Sequence, residues 1–113
     1  MSTILQISSF SNLNLLGTRF IAKKIRASIE DALTRDDSVE LDLSGVEVTQ
    51  SFIDELLGPI ILRIGPSLLG QLAFRGCSEG AQAVIRFVVV SRLADFRNAH
   101  PQGPINQPAR ARA

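Results

Sequence analysis

Residues 39–58 read VELDLSGVEVTQSFIDELLG, and the first part of this stretch, 39–44, decides the architecture. In an extended chain successive side chains point to opposite faces. Val39, Leu41 and Leu43 therefore share one face, and Glu40, Asp42 and Ser44 share the other. A parallel strand buried on both faces would be apolar throughout. This one is half polar, so helices are expected mainly on one face. Residues 70–75, GQLAFR, repeat the pattern, with Leu72 and Phe74 opposite Gln71, Ala73 and Arg75. Two layers follow rather than three.

Working outward, Ser51 to Ile64 has the spacing of a helix, with Ile53, Leu56, Leu57, Ile60 and Ile64 on one side. Gly58-Pro59 falls inside it. Proline removes a backbone donor and crowds the preceding turn, but the apolar spacing continues through it, which predicts one kinked helix. Upstream, Thr18 to Leu33 is amphipathic: Ile21, Ile25, Ile29 and Leu33 recur every four residues, with Ala22 and Ala32 beside them. Thr18 is its expected N-cap. Residues 3–10, TILQISSF, read as a first strand, and Asn12 to Gly17 punctuates the chain after it. Downstream, Glu79 to about Arg92 suits a third helix, although Phe87-Val88-Val89-Val90 alone would also suit a strand. The order β-α-β-α-β-α with short connections predicts a short, mostly parallel sheet of about three to four strands with right-handed crossovers. The fold class is α/β.

From Asn98 onward, NAHPQGPINQPARARA holds three of the five prolines and almost no bulky apolar side chains. Such a segment buries too little surface to offset its ordering entropy. The domain division expected is 1–96 for the folded unit and 97–113 for a basic, proline-rich tail. The 113 residues allow one domain. Residues 1–96 carry nine basic and eleven acidic side chains, a poor balance for steering onto DNA or RNA. Six Phe with neither Tyr nor Trp leave few aromatic platforms for bases or sugars. Cys77 is the one cysteine, so no intrachain disulfide can form. The first ten residues have no secretory pattern, and no apolar run approaches the ~20 residues that span a bilayer. A cytoplasmic setting is expected, with no membrane partner.

Residues 41–58 carry the most distinctive pattern. Asp42-Leu43-Ser44-Gly45-Val46 resembles the Asp-x-Ser-Gly-Val strand end of the STAS superfamily, typified by bacterial anti-sigma factor antagonists. Those proteins place a serine or threonine at a following helix N-terminus, matched by Ser51. Ser51-Phe52-Ile53-Asp54-Glu55-Leu56-Leu57-Gly58 resembles more closely an uncharacterised STAS-like family, as does Gly17-Thr18-Arg19-Phe20, and the likeness spans roughly residues 15–95. It implies a two-layer STAS-like domain that regulates by binding. In the antagonists the helix-start serine is phosphorylated by a histidine-kinase-like ATPase, and phosphorylation breaks the complex. Ser51 is the position that inherits this role. Gln50 stands where the antagonists usually have Asp, and Phe52-Ile53 replaces their small pair.

Two readings of Ser51 stand side by side. As a helix cap, it accepts from the Asp54 N–H while the Asp54 carboxylate reaches back, a contribution of ~1 kcal/mol. As a phosphosite, it would carry its charge beside Asp54 and Glu55, expected in the same first turn and repulsive to it. The partner-binding surface expected is Val46, Glu47, Thr49, Gln50, Ser51, Asp54 and Glu55, with Asp54-Glu55 as an acidic contact. No catalytic set is evident. Cys77 lacks a base, its thiol being exposed to some lowering by Arg75. His100 lies in the tail, and Asp42 with Asp54 and Glu55 makes solvated carboxylates rather than a metal site. No GxxxxGK[ST] or GxGxxG spacing cradles a phosphate. The chain is thus expected to be no enzyme and to need no cofactor. Its partner is expected to be a protein, the resemblance pointing to a histidine-kinase-like ATPase. A self-associating subunit without a phosphoswitch, forming a homodimer, is the alternative.

Overall fold

The structure, a computed structural model, describes residues 2–10, 15–16, 19–35 and 38–99. Three parallel strands, β1 (Ser2–Gln6), β3 (Ser38–Asp42) and β5 (Leu72–Arg75), form a sheet in that order. Thr3 pairs with Val39 and Leu5 with Leu41, and Val39 and Leu41 pair in turn with Leu72 and Phe74. Two short strands, β2 (Leu15–Leu16) and β4 (Glu47–Val48), make a separate parallel pair. The helices are α1 (Arg19–Arg35), α2 (Gln50–Ile64) and α3 (Glu79–Ala99).

The alternation read from VELDLS is the one found: Val39, Leu41 and Leu43 are buried, while Glu40 and Asp42 stay partly exposed. Ala73 and Arg75 of β5 and Ile4 and Gln6 of β1 are exposed on the same outward side. Arg75 Nη1 lies 3.4 Å from Glu40 Oε1 across that polar face. The helices therefore cover one face, giving the two-layer α/β fold.

Helix α2 is the centre of the core. Phe52, Ile53, Leu56, Leu57, Gly58, Ile60 and Ile61 are all buried, a band too wide for a surface helix. It packs against both α1 and α3. The α1 face that meets the core is Ala22, Ile25, Ile29 and Ala32, with Ile21 and Leu33 at its margins. At α3 the helical reading of residues 87–90 holds: Val88 is buried while Phe87 and Val90 are exposed. Ser78 starts this helix by accepting a hydrogen bond from the Ala81 N–H at 3.1 Å.

Several boundaries differ from the sequence reading. The first strand ends at Gln6, and Ile7–Phe10 form a 3-10 turn. Ser9 Oγ donates to the Gln6 carbonyl at 2.7 Å, a local bond that competes with strand pairing. Ile7 is nevertheless fully buried. Helix α2 begins one residue early, for a reason given below. Helix α3 continues to Ala99, so Arg97–Ala99 belong to the helix and not to a tail. Thr18, His100 and the rest of the proline-rich segment lie outside the described residues.

Candidate functional site

After β3 the chain turns at Ser44-Gly45, where Asp42 Oδ1 accepts from the Ser44 N–H at 3.0 Å and from Ser44 Oγ at 2.6 Å. These bonds, aided by Arg75, hold the Asp42 carboxyl below the usual carboxylate range. The Val46 N–H then donates to the Leu43 carbonyl at 3.1 Å, folding Val46 inward until it is 3% exposed. Val46 anchors the segment and presents nothing to a partner. Pairing of β4 with β2 carries the chain to Thr49.

Thr49, and not Ser51, is the cap of α2. Its backbone is extended, with φ −101° and ψ 163°, and its Oγ1 accepts from the Phe52 N–H at 3.1 Å. That places Gln50, Ser51, Phe52 and Ile53 in the first turn. The capping arrangement read between Ser51 and Asp54 is thus corrected, because the hydroxyl two residues earlier already has the non-helical backbone that a cap requires. Ser51 is exposed, its Oγ 3.4 Å from Thr49 Oγ1. Thr49→Ala is expected to cost about 1 kcal/mol in urea unfolding, whereas Ser51→Ala changes stability by only a few tenths. Equal losses from the two would return the cap to Ser51.

The acidic pair is also differently placed. Asp54 and Glu55 lie beyond the first turn, which contains no acidic residue. Glu55 Oε2 is 2.9 Å from Arg26 Nη1, and its Oε1 is 3.9 Å from Arg19 Nε. The hydrogen bond from Arg26 holds the Glu55 carboxyl below its ordinary range, against the opposing effect of burial. Asp54 Oδ1 is 2.8 Å from Arg92 Nε, an ion-pair contact rather than an aligned hydrogen bond. Arg92 Nη1 also meets Asp95 Oδ2 at 2.8 Å. A side chain at Gly58 would put its Cβ 3.2 Å from Asp54 Oδ1 and 3.6 Å from the Arg92 stem. Gly58 therefore leaves the room in which Arg92 crosses α2. Both carboxylates are engaged inside the domain, and the acidic contact expected from the sequence is largely neutralised.

Arg26 has a second task. Pro59 has no N–H, so the carbonyl four residues earlier, that of Glu55, loses its helical donor. Arg26 Nη1 donates to that carbonyl as well as to the Glu55 carboxylate. The helix thus runs unbroken past Pro59 because a guanidinium on α1 replaces the missing donor. Arg26 and Arg92 were not among the residues singled out from sequence. The signal for Arg26 was the four-residue interval from Glu55 to Pro59, which marks a carbonyl in need of a donor from elsewhere.

Glu47, Gln50 and Ser51 form the exposed part of the segment, with Thr49 half-buried beneath them. Burial raises the Cys77 thiol pKa and the nearby Asp42 carboxylate adds to this, the opposite of the lowering expected from Arg75. Among the described residues no three His, Cys, Asp or Glu side chains gather where they could hold a metal ion. Among those residues no helix is long and apolar enough to cross a membrane.

A family model described as a STAS-like domain of unknown function (DUF4325) matches residues 22–82, more than half of the chain. The match runs from the first turn of α1 to the start of α3 and takes in β3, the capped start of α2 and β5. No curated protein and no solved structure matches the chain.

Proposed function

The chain belongs to the STAS-like domain family of unknown function, and from that premise we propose that it is a regulatory protein-binding module acting through the exposed start of α2. The observation that carries this reading is the division of labour between two hydroxyls. Thr49 is spent on the cap, while Ser51 is exposed in the first turn with its hydroxyl left to solvent and neighbouring groups. The N-terminus of a helix favours negative charge through its free N–H groups and its dipole. A phosphoryl group adds about −1.5 to −2 charges. On Ser51 it would sit in a turn with no carboxylate, Asp54 and Glu55 being further along and paired with arginines.

On this reading the partner docks on Glu47, Gln50 and Ser51, and phosphorylation of Ser51 releases it. The likeness to anti-sigma factor antagonists makes a histidine-kinase-like ATPase the partner of choice. The module is then a cytoplasmic switch element and no enzyme. The test is to mix the purified domain with a histidine-kinase-like ATPase from its own genome, with and without ATP. Binding is expected without ATP, a phosphopeptide containing Ser51 with it, and at least about tenfold weaker binding for Ser51→Glu. Full binding by Ser51→Glu, or phosphate only on other residues, would overturn the site. Asp54→Lys is a poorer probe, because it breaks the contact with Arg92 as well as removing a surface charge.

A further inference from the structure

Helix α3 turns Ala81, Ile85 and Val88 into the core. Its opposite side is not the polar surface that this burial leads one to expect. Phe87 is 55% exposed and Val90 is 62% exposed, with Ala83 exposed and Ala94 partly exposed beside them. At ~100° per residue, Glu79, Ala83, Phe87, Val90, Ala94 and Arg97 fall within an arc of about 80°. The stripe is about 27 Å long at a rise of 1.5 Å per residue. It begins on an exposed glutamate and ends on an exposed arginine, neither of which has an ion pair among the described residues. All but its first residue lies beyond the family match or at its edge, so the stripe is not part of the shared strand-and-helix unit.

The order along the stripe has its own symmetry. Ala83, Phe87, Val90 and Ala94 are spaced four, three and four residues apart, so the pattern reads alike in both directions about a midpoint between Val88 and Val89. The two ends carry opposite charges. A twofold axis through that midpoint would set Phe87 of one copy on Val90 of the other and Ala83 on Ala94. It would also bring Glu79 to within one residue of Arg97, about 1.5 Å along the axis, at each end. The small alanines let two helices approach closely on either side of the larger pair. A parallel arrangement would instead oppose Glu79 to Glu79 and Arg97 to Arg97.

We propose that α3 is a self-association face, on which a second copy of this chain docks its own α3 antiparallel, with Glu79 and Arg97 exchanged between the copies. A C2 contact of this kind needs one self-complementary patch and no second surface. One helix per partner keeps the buried area at the low end of specific interfaces, below about 1,200 Å² in total. The dimer is accordingly weak and reversible. Its named contacts are all residues of α3 and none of those at the start of α2, so separate variants test this inference and the partner reading above.

The experiment is sedimentation velocity from low micromolar to sub-millimolar protein, on the full chain. Wild type is expected to move from monomer toward dimer as concentration rises. Val90→Glu, which places a carboxylate against Phe87 of the other copy, should remain monomeric. Glu79→Arg or Arg97→Glu alone creates a like-charge contact at both ends and should raise the dissociation constant about tenfold. The double exchange, E79R with R97E, should bring it back to within about threefold of wild type. Circular dichroism melts confirm that each variant folds. A wild-type chain that stays monomeric throughout overturns the proposal and leaves the stripe to a different protein. Dimers whose single and double charge variants behave alike overturn the antiparallel pairing.

Discussion

Gly65→Ala is expected to lower the melting temperature by about 12 °C or more, on a loss of about 3 kcal/mol. Gly65 closes α2, its N–H bonding back to the Ile61 carbonyl, with φ 67° and ψ −148°. That combination belongs to a region essentially confined to glycine, where a side chain costs about 1–3 kcal/mol in backbone strain. The space is also taken. A Cβ there would come within 2.5 Å of the Phe96 ring on α3. Relieving such a collision swings the half-exposed Phe96 ring aside or shifts the two helices, at a further cost of up to about 1–3 kcal/mol. Phe96→Leu separates the two effects. In that background Gly65→Ala should keep its backbone cost and lose part of the steric one. A circular dichroism melt unchanged by Gly65→Ala would show that α2 and α3 do not meet here.

Arg26→Ala is expected to be the second most damaging change, for a reason that its position on the margin of α1 conceals. Without the guanidinium, the Glu55 main-chain carbonyl has neither Arg26 nor the proline as donor, and an unsatisfied acceptor in a half-buried place costs about 1–3 kcal/mol. The diagnostic result is the double variant. Pro59→Ala supplies an N–H to the same carbonyl, so Arg26→Ala should cost about 1 kcal/mol less in that background than in wild type. Urea unfolding of the four proteins gives the coupling directly. Strict additivity would mean that Arg26 acts on the Glu55 carboxylate alone.

The layer arrangement was legible from residues 39–44 because strand periodicity reports burial face by face, and the alternation survives the local Asp42–Ser44 turn that ends the strand. The buried stripe of α1 followed from helical spacing for the same reason, whereas the burial of Phe52 and Ile61, which widens the α2 face, lay outside the side read for that helix. The start of α2 was misplaced by a different kind of choice. Thr49 and Ser51 are both good caps, and which one acts depends on the backbone angles that the β4 pairing imposes on the residues before them. The internal pairing of the acidic residues was not legible, because Asp54 and Glu55 are answered by Arg92 and Arg26, which lie 38 and 29 residues away in the chain respectively. Spacing along one helix carries no information about cations delivered from others. Val46 was misjudged similarly: a valine in a loop between polar residues gives no sign that one backbone bond to Leu43 turns it inward. The reach of α3 to Ala99 was missed because Asn98 and the prolines beyond it read as the end of order before the helix had run out.

The strand order β1-β3-β5 has a bearing on how this protein comes into being. Every partner in the sheet is parallel, so none can be met by a simple reversal of the chain. During synthesis β1 must wait, unpaired, until all of α1 and then β3 have left the ribosome, and β3 must wait again for α2 before β5 arrives. Each pairing spans a helical crossover, α1 for the first and α2 for the second, so the sheet closes through contacts distant in sequence, the kind that slow folding.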